Sequence, residues 1–153
     1  MARLAEGDKL YDFNSQGEIG GPVVSAGFKA AHDKIQPGGN QFTSVKILNK
    51  DRSDYVGEYF IFHVTTVLDA VDPSLGGFDS YGKGEDVTYR YKSDSDSIRN
   101  KLAVHKDRLQ GIAAWCDPRF GRTVYRFFSD AFLAELDAFG AKGFDKNYHF
   151  HEI

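Results

Sequence analysis

The sequence is poor in cysteine, and Cys116 is the only one among its 153 residues. A single cysteine cannot form a disulfide within the chain, so a reducing compartment suits this protein and the fold has to be stabilised by a hydrophobic core. A chain of this length with 41% hydrophobic residues can bury such a core. We therefore expect one domain over residues 1–153.

Long hydrophobic runs are also absent. The most apolar stretch, residues 59–68, is interrupted by His63, Thr65 and Thr66, and it is far shorter than the ~20 residues that cross a bilayer. Residues 1–12 mix charged and apolar side chains, so they lack the apolar core of ~7–15 residues found in a secretory signal. We expect a cytoplasmic protein that does not bind a membrane.

An excess of positive charge is the third feature that the chain lacks. Its net charge is −3 and its isoelectric point is about 5.9, whereas nucleic-acid binders concentrate Lys and Arg on one face. The composition therefore gives no indication of a nucleic-acid partner. A basic protein fits better, because opposite charges accelerate the encounter of two proteins.

Turn residues divide the chain into helices and strands. Ser25 is the predicted N-cap of a helix that ends at Ile35, before Pro37-Gly38-Gly39. Ser129 is the predicted N-cap of a second helix. The apolar stripe of that helix consists of Phe132, Leu136 and Phe139. Alternating or continuous apolar residues predict strands at 43–47, 58–68, 87–91, 102–104, 112–116, 123–128 and 144–150. The strand at 58–68 is expected to be central, and residues 117–121 to close a hairpin. The pattern predicts an α+β fold, mainly antiparallel sheet with two short amphipathic helices packed on it.

Few residues offer catalytic or metal-binding chemistry. Cys116 lies beside Trp115 in an apolar strand, where a buried, unreactive thiol is expected. His149 and His151 share one face of a strand, but two histidines supply only half of a four-ligand metal site. None of the glycine pairs links a strand to a helix through a phosphate-binding fingerprint, so we expect no catalytic residue, no metal and no cofactor.

A glycine-rich segment, predicted to be a long loop over residues 69–84, is the best candidate for a binding surface. Acidic residues in or beside this loop accompany two aromatic residues that we expect to be exposed. Exposed aromatic side chains often carry binding energy, and carboxylates attract a basic partner. The alternative is a solvated loop without a partner. The predicted partner-binding residues are Asp69, Asp72, Phe78, Asp79, Tyr81, Glu85 and Asp86.

Three segments share their pattern and order with a known family. Residues 24–45 contain a helix that starts at a serine, a glycine break and a strand; residues 59–72 run from an apolar strand into an aspartate-containing turn; residues 127–144 contain a closing helix and strand. Over residues 23–150, after a lead segment at 1–22, the chain resembles immunity protein family eleven of the bacterial polymorphic toxin systems. The resemblance implies an α+β inhibitor, encoded beside a toxin, that acts through tight protein binding.

Two further functions stay open beside this one. Our hypothesis is an immunity protein that occludes the active site of a cognate toxin without catalysis, and the toxin is expected to be basic and nuclease-like. A detoxifying enzyme would instead use Cys116 or the pair His149 and His151. A regulatory adaptor domain would act without any toxin. The sequence leaves the oligomeric state undetermined.

Overall fold

The computed structural model describes residues 2–3, 10–14, 21–75, 78–82, 87–91, 103–120, 126–143 and 151–152. These residues form a mixed α+β fold, mainly sheet, as predicted. No helix among them is long and apolar enough to span a bilayer. The helices are α1 (Ala26–Ile35) and α2 (Asp130–Ala138). The strands are β1 (Ala2–Arg3), β2 (Phe13–Asn14), β3 (Val23–Ser25), β4 (Gln41–Val45), β5 (Ile47–Leu48), β6 (Tyr59–His63), β7 (Val71–Asp72), β8 (Phe78–Tyr81), β9 (Thr88–Tyr91), β10 (Ala103–Val104), β11 (Ala114–Trp115), β12 (Phe127–Phe128) and β13 (His151–Glu152).

The chain divides into two compact units. Unit 1 consists of Met1–Thr65 and Asp130–Phe144, and unit 2 of Thr66–Ser129 and Asp145–Ile153. Each unit is therefore assembled from two separate stretches of the chain. The expectation that residues 1–153 act as one domain stays a prediction.

Unit 1 contains an antiparallel sheet with the strand order β2, β3, β6, β4. β6 pairs with β3 on one side and with β4 on the other, which confirms the central position predicted for this apolar stretch. The strand is shorter than predicted and ends at His63. Two residues later, the N–H of Thr65 donates to the side-chain Oδ1 of Asn40 over 2.9 Å, so the chain has left the ladder there.

The start of α1 is fixed by Ser25, as predicted. Its hydroxyl accepts a hydrogen bond from the N–H of Phe28 over 3.2 Å and donates one to Asp12 Oδ1 over 2.7 Å. α1 then buries Phe28, whose ring contacts Phe62 of the sheet and Phe132 of α2 at centroid distances of 5.3 and 5.1 Å. Aromatic contacts thus join the two helices and the sheet of unit 1 in one core.

The apolar stripe predicted for α2 is confirmed in part. Phe132 and Leu136 are buried, whereas 43% of Phe139 is exposed, so its placement in the core was wrong. Phe139 is the residue after the helix and its ring lies against Gly27, with a ring carbon 3.2 Å from where a Cβ of that glycine would be. Helical spacing beyond the last turn therefore did not predict burial.

His32 is a fully buried polar residue in the core of unit 1. Its Nε2 lies 3.0 Å from Nδ2 of Asn40, and its Nδ1 lies 3.2 Å from Oδ1 of Asp33. Since the Asn40 oxygen accepts from Thr65, the Asn40 nitrogen faces His32 and donates to Nε2. His32 is thus the neutral tautomer with its proton on Nδ1, and burial lowers the pKa of this imidazole below its usual range.

Unit 2 is built from short strand pairs around an aromatic core. β11 and β12 form an antiparallel pair, β10 lies between β7 and β13, and β8 pairs with β9. Among the described residues, the buried core of this unit includes Ala70, Val71, Phe78, Val104, Leu109, Trp115, Phe120 and Phe127.

Three sequence predictions for unit 2 need correction or fall outside the described residues. The segment at 69–84 is not one long loop, because it contains β7, a 3₁₀ helix at Pro73–Leu75 and β8. The hairpin of β11 and β12 exists, but its connection is longer than residues 117–121 and includes a 3₁₀ helix at Pro118–Phe120. The strand predicted at 144–150 lies outside the described residues.

Candidate partner-binding surface

The segment after β7 is anchored by Phe78. Its side chain is 9% exposed, and its ring meets Phe120 edge-on at a centroid distance of 4.6 Å. The prediction that Phe78 is an exposed aromatic residue is therefore wrong. Burial of this ring fixes β8 on the core of unit 2, so Phe78 can support a binding surface but cannot form its outer face.

The residues that follow Phe78 are exposed. Asp79 and Ser80 are exposed, and Tyr81 exposes 50% of its surface. Leu75, in the 3₁₀ helix before β8, exposes 55%. Leu75, Asp79 and Tyr81 together are called the β8 surface below. It combines an aliphatic, an acidic and an aromatic side chain on one short stretch of the chain.

Asp72 is held in a local turn at the end of β7. Its Oδ1 accepts hydrogen bonds from the N–H and the hydroxyl of Ser74, over 2.9 and 2.6 Å. These bonds, above all the one from the hydroxyl, lower the pKa of the Asp72 carboxyl. Asp72 is therefore a fixed negative charge at neutral pH.

The charge of Asp69 is compensated by neighbouring arginines, and its part in partner binding stays a prediction. Asp69 forms an ion pair with Arg119, and its Oδ1 lies 3.7 Å from Nη1 of Arg108. Arg108 also donates to the main-chain oxygen of Asp69. With two arginines beside it, Asp69 contributes little to an attractive acidic surface.

Arg119 connects Asp69 to the interior of unit 2. Its Nε and Nη2 donate to the two carboxylate oxygens of Asp117, over 2.9 and 2.6 Å, and Nη2 also donates to the carbonyl of Val71 over 2.6 Å. Asp117 has no exposed surface and also accepts from the N–H groups of Arg119 and Val71, over 3.0 and 3.4 Å. The paired carboxylate raises the pKa of Arg119. The bidentate ion pair and the bond to Val71 hold β7 against the 3₁₀ helix at 118–120. The segment that leads to the β8 surface begins at β7.

Those predicted partner-binding residues that the structure describes lie at two different places in unit 2. Asp69 and the carbonyl before Asp72 meet at the guanidinium of Arg119, while Asp79 and Tyr81 lie in β8. Glu85 and Asp86 lie outside the described residues.

Sequence reasoning missed two residues of this region. Leu75 is an apolar residue inside a Pro-Ser-Leu-Gly turn, and an apolar side chain in a turn is a signal for exposure. Arg119 lies two residues after Asp117, with a proline between them. This spacing permits an ion pair between the two side chains, but it does not predict the hydrogen bond from Arg119 to the carbonyl of Val71.

Of the candidate catalytic residues, Cys116 is the one whose side chain the structure describes. Cys116 is 2% exposed, and its thiol lies 3.5 Å from the main-chain oxygen of Thr66. No group of three or more His, Cys, Asp and Glu residues able to hold a metal ion occurs in the part of the chain that the structure describes. His149 lies outside that part, and His151 belongs to β13.

The structure is that of a small α+β protein with aliphatic, acidic and aromatic side chains exposed in and beside β8. A family model for the immunity protein family (Imm11) matches residues 2–148 of the chain. The chain belongs to this family and has the role of an immunity protein, directed at a cognate toxin, which confirms the resemblance noted from the sequence. No curated protein matches it.

Proposed function

We propose that this chain neutralises its cognate toxin by binding it and covering its active site, without catalysing a reaction. The family match over residues 2–148 carries this proposal. The burial of Cys116 supports it, because the one thiol of the chain is withdrawn from substrates. The toxin would be a basic, nuclease-like enzyme met in the cytoplasm, consistent with the net charge of −3.

The proposal predicts a tight complex with the toxin domain encoded beside this chain. Self-protection calls for a nanomolar Kd or lower, about 12 kcal/mol of binding free energy or more. Isothermal titration of the purified toxin domain with this chain measures both affinity and stoichiometry. Absence of a complex at micromolar concentrations would refute the proposal.

A variant of the three candidate catalytic residues separates binding from catalysis. We expect cells that produce the toxin to survive with the triple variant Cys116→Ala, His149→Ala and His151→Ala, because none of these side chains is needed for occlusion. If protection disappears while the variant folds and still binds the toxin, the chain is an enzyme.

The β8 surface, with Asp72 at its border and Phe78 beneath it, is the proposed contact in unit 2. Asp69 is assigned a supporting role through Arg119, and Glu85 and Asp86 stay predicted contacts. Truncation of a central aromatic contact costs ~2 kcal/mol or more of binding free energy. We therefore expect Tyr81→Ala to raise Kd at least tenfold, mainly through faster dissociation in surface plasmon resonance.

Tyr11 offers a matched control for this experiment. It is a tyrosine of unit 1 with 53% of its surface exposed, so Tyr11→Ala removes the same atoms at similar exposure. The control should leave Kd within about twofold of wild type. Equal Kd values for Tyr81→Ala and wild type would remove the β8 surface from the interface.

A further inference from the structure

β4 lies at one edge of the four-stranded sheet of unit 1. It pairs with β6 in unbroken register, from Gln41 opposite His63 to Val45 opposite Tyr59. In the part of the chain that the structure describes, no other strand pairs with β4. Because hydrogen bonds alternate along an antiparallel ladder, every second residue of β4 directs its N–H and C=O away from β6. The edge therefore presents a row of main-chain donors and acceptors.

The core of unit 1 holds this edge strand in place. The ring of Phe42 stacks on Phe62 at a centroid distance of 4.8 Å and meets the edge of His32 at 5.0 Å. A strand anchored in this way loses little conformational freedom when another strand binds to it.

β4 carries none of the features that commonly block an edge strand. Charged side chains, proline and β-bulges prevent one edge from pairing with another. β4 has the sequence Gln-Phe-Thr-Ser-Val and no bulge in its pairing with β6. Lys46, the residue after it, forms an ion pair with Asp54 over 2.8 Å. Within the described residues, β4 therefore has no feature that would prevent a strand of a partner from pairing with it.

We infer that an extended segment of the toxin binds to β4 as an additional strand of this sheet, an inference that rests on the proposed function. A row of main-chain groups along five residues, roughly 17 Å, matches an extended peptide rather than a small molecule. The exposed side chains of β4, those of Gln41, Thr43 and Ser44, are polar. A lasting contact between two copies of the chain would need a more apolar surface, so a separate partner fits better.

Hydrogen–deuterium exchange on the wild-type chain, with and without the purified toxin domain from the neighbouring gene, tests this pairing directly. We expect at least tenfold slower exchange in the complex at those amides of residues 41–45 that point away from β6. A complex in which these amides exchange as in the free chain would overturn the inference and leave the proposed function intact. Absence of any complex would refute the proposed function, and the inference with it.

A charge placed on the edge gives a second test. Thr43→Lys adds a positive charge to an exposed residue of β4, and Ala30→Lys adds the same charge to an exposed residue of α1. Thr43→Lys should raise Kd for the toxin domain at least tenfold, and Ala30→Lys should change it less than twofold. If Thr43→Lys unfolds the protein, Gln41→Lys replaces it.

Two outcomes of the charge test would contradict the inference. Equal Kd values for the two lysine variants would exclude β4 from the interface. A wild-type chain that is a dimer by light scattering, and that Thr43→Lys makes monomeric, would assign the edge to a second copy of this chain.

Discussion

His32 and Asp117 are polar side chains without exposed surface, and each is satisfied by specific neighbours. His32 lies between Asn40 and Asp33, and Asp117 receives the guanidinium of Arg119. A buried polar group costs free energy when its partner is removed or its protonation state changes. At the scale of single residues, we therefore expect substitutions at these two positions to lower stability.

His32 predicts a dependence of stability on pH. In the unfolded chain its pKa is near 6.5, and in the folded chain it is lower because of burial. Below pH 6.5 the unfolded state takes up a proton at His32 that the folded state does not. The stability that neutral His32 provides is therefore fully present above this pH. It is lost as the pH falls towards the folded-state pKa. The free energy of unfolding, measured by urea titration followed by far-UV circular dichroism, should fall as the pH is lowered below about 6.5. The slope should be at most ~1.4 kcal/mol per pH unit for this one proton.

The variant His32→Gln identifies the group responsible. It cannot titrate, so its unfolding free energy should depend less steeply on pH in this range, even if the variant is less stable throughout. Identical slopes for wild type and His32→Gln would show that another group causes the pH dependence.

Asp117→Asn tests the buried pair in unit 2. The amide cannot replace the charge opposite Arg119, so we expect a loss of about 2–3 kcal/mol of unfolding free energy. A fully buried ion pair would cost ~3–5 kcal/mol when broken. The expected loss is smaller here because the Arg119 side chain is 28% exposed. Trp115, the single tryptophan, is buried in the same unit, so its fluorescence in a denaturant titration measures this loss. Asp107→Asn, at an exposed position, should change stability by less than ~0.5 kcal/mol; a similar loss in both variants would contradict the role given to the pair.

At the scale of elements, the start of α1 gives a defined prediction. Ser25→Ala removes the hydrogen bond to the N–H of Phe28 and the one to Asp12, and should cost ~1 kcal/mol of stability. Ser25→Thr keeps the hydroxyl and should cost clearly less. Thermal unfolding followed by circular dichroism compares the two, and equal melting temperatures would show that Ser25 does not cap the helix.

The chain after α2 turns at two glycines that differ in their surroundings. Gly140 and Gly143 have φ of 72° and 98°, which favours glycine at both. A Cβ on Gly140 would meet nothing within 4 Å, whereas one on Gly143 would lie 2.1 Å from the carbonyl oxygen of Phe13. Gly140→Ala should therefore cost about 1–2 kcal/mol and Gly143→Ala more. Equal costs in denaturant titrations would contradict the close approach of the two segments.

Local signals predicted the helices and the central strand, and non-local contacts explain the errors. The cap at Ser25 and the apolar run of β6 are properties of neighbouring residues, so the sequence was sufficient to place them. Phe78 is buried because Phe120, far along the chain, covers it, and no local pattern indicates this contact. For the same reason the sequence could predict acidic residues in the candidate surface, but not that arginines compensate the charge of Asp69.

At the scale of the whole molecule, the family match and the two proposed contact surfaces support the same proposed mode of action. The proposed contacts are the β8 surface in unit 2 and the edge strand β4 in unit 1. Neither surface contains a reactive group, and both present groups suited to contact with a protein. Under the proposed function the chain acts by forming a complex, so its effect should depend on the amount of inhibitor relative to toxin.

The most direct test of this central claim is a titration of toxin activity with the purified chain. Occlusion predicts that activity falls linearly with the molar ratio and reaches zero at a fixed stoichiometric ratio, because tight binding removes one toxin site for each complex formed. The end point should not change with incubation time. Loss of activity at far lower ratios, progressing with time, would indicate an enzyme, and full activity at a large excess of the chain would contradict neutralisation by binding.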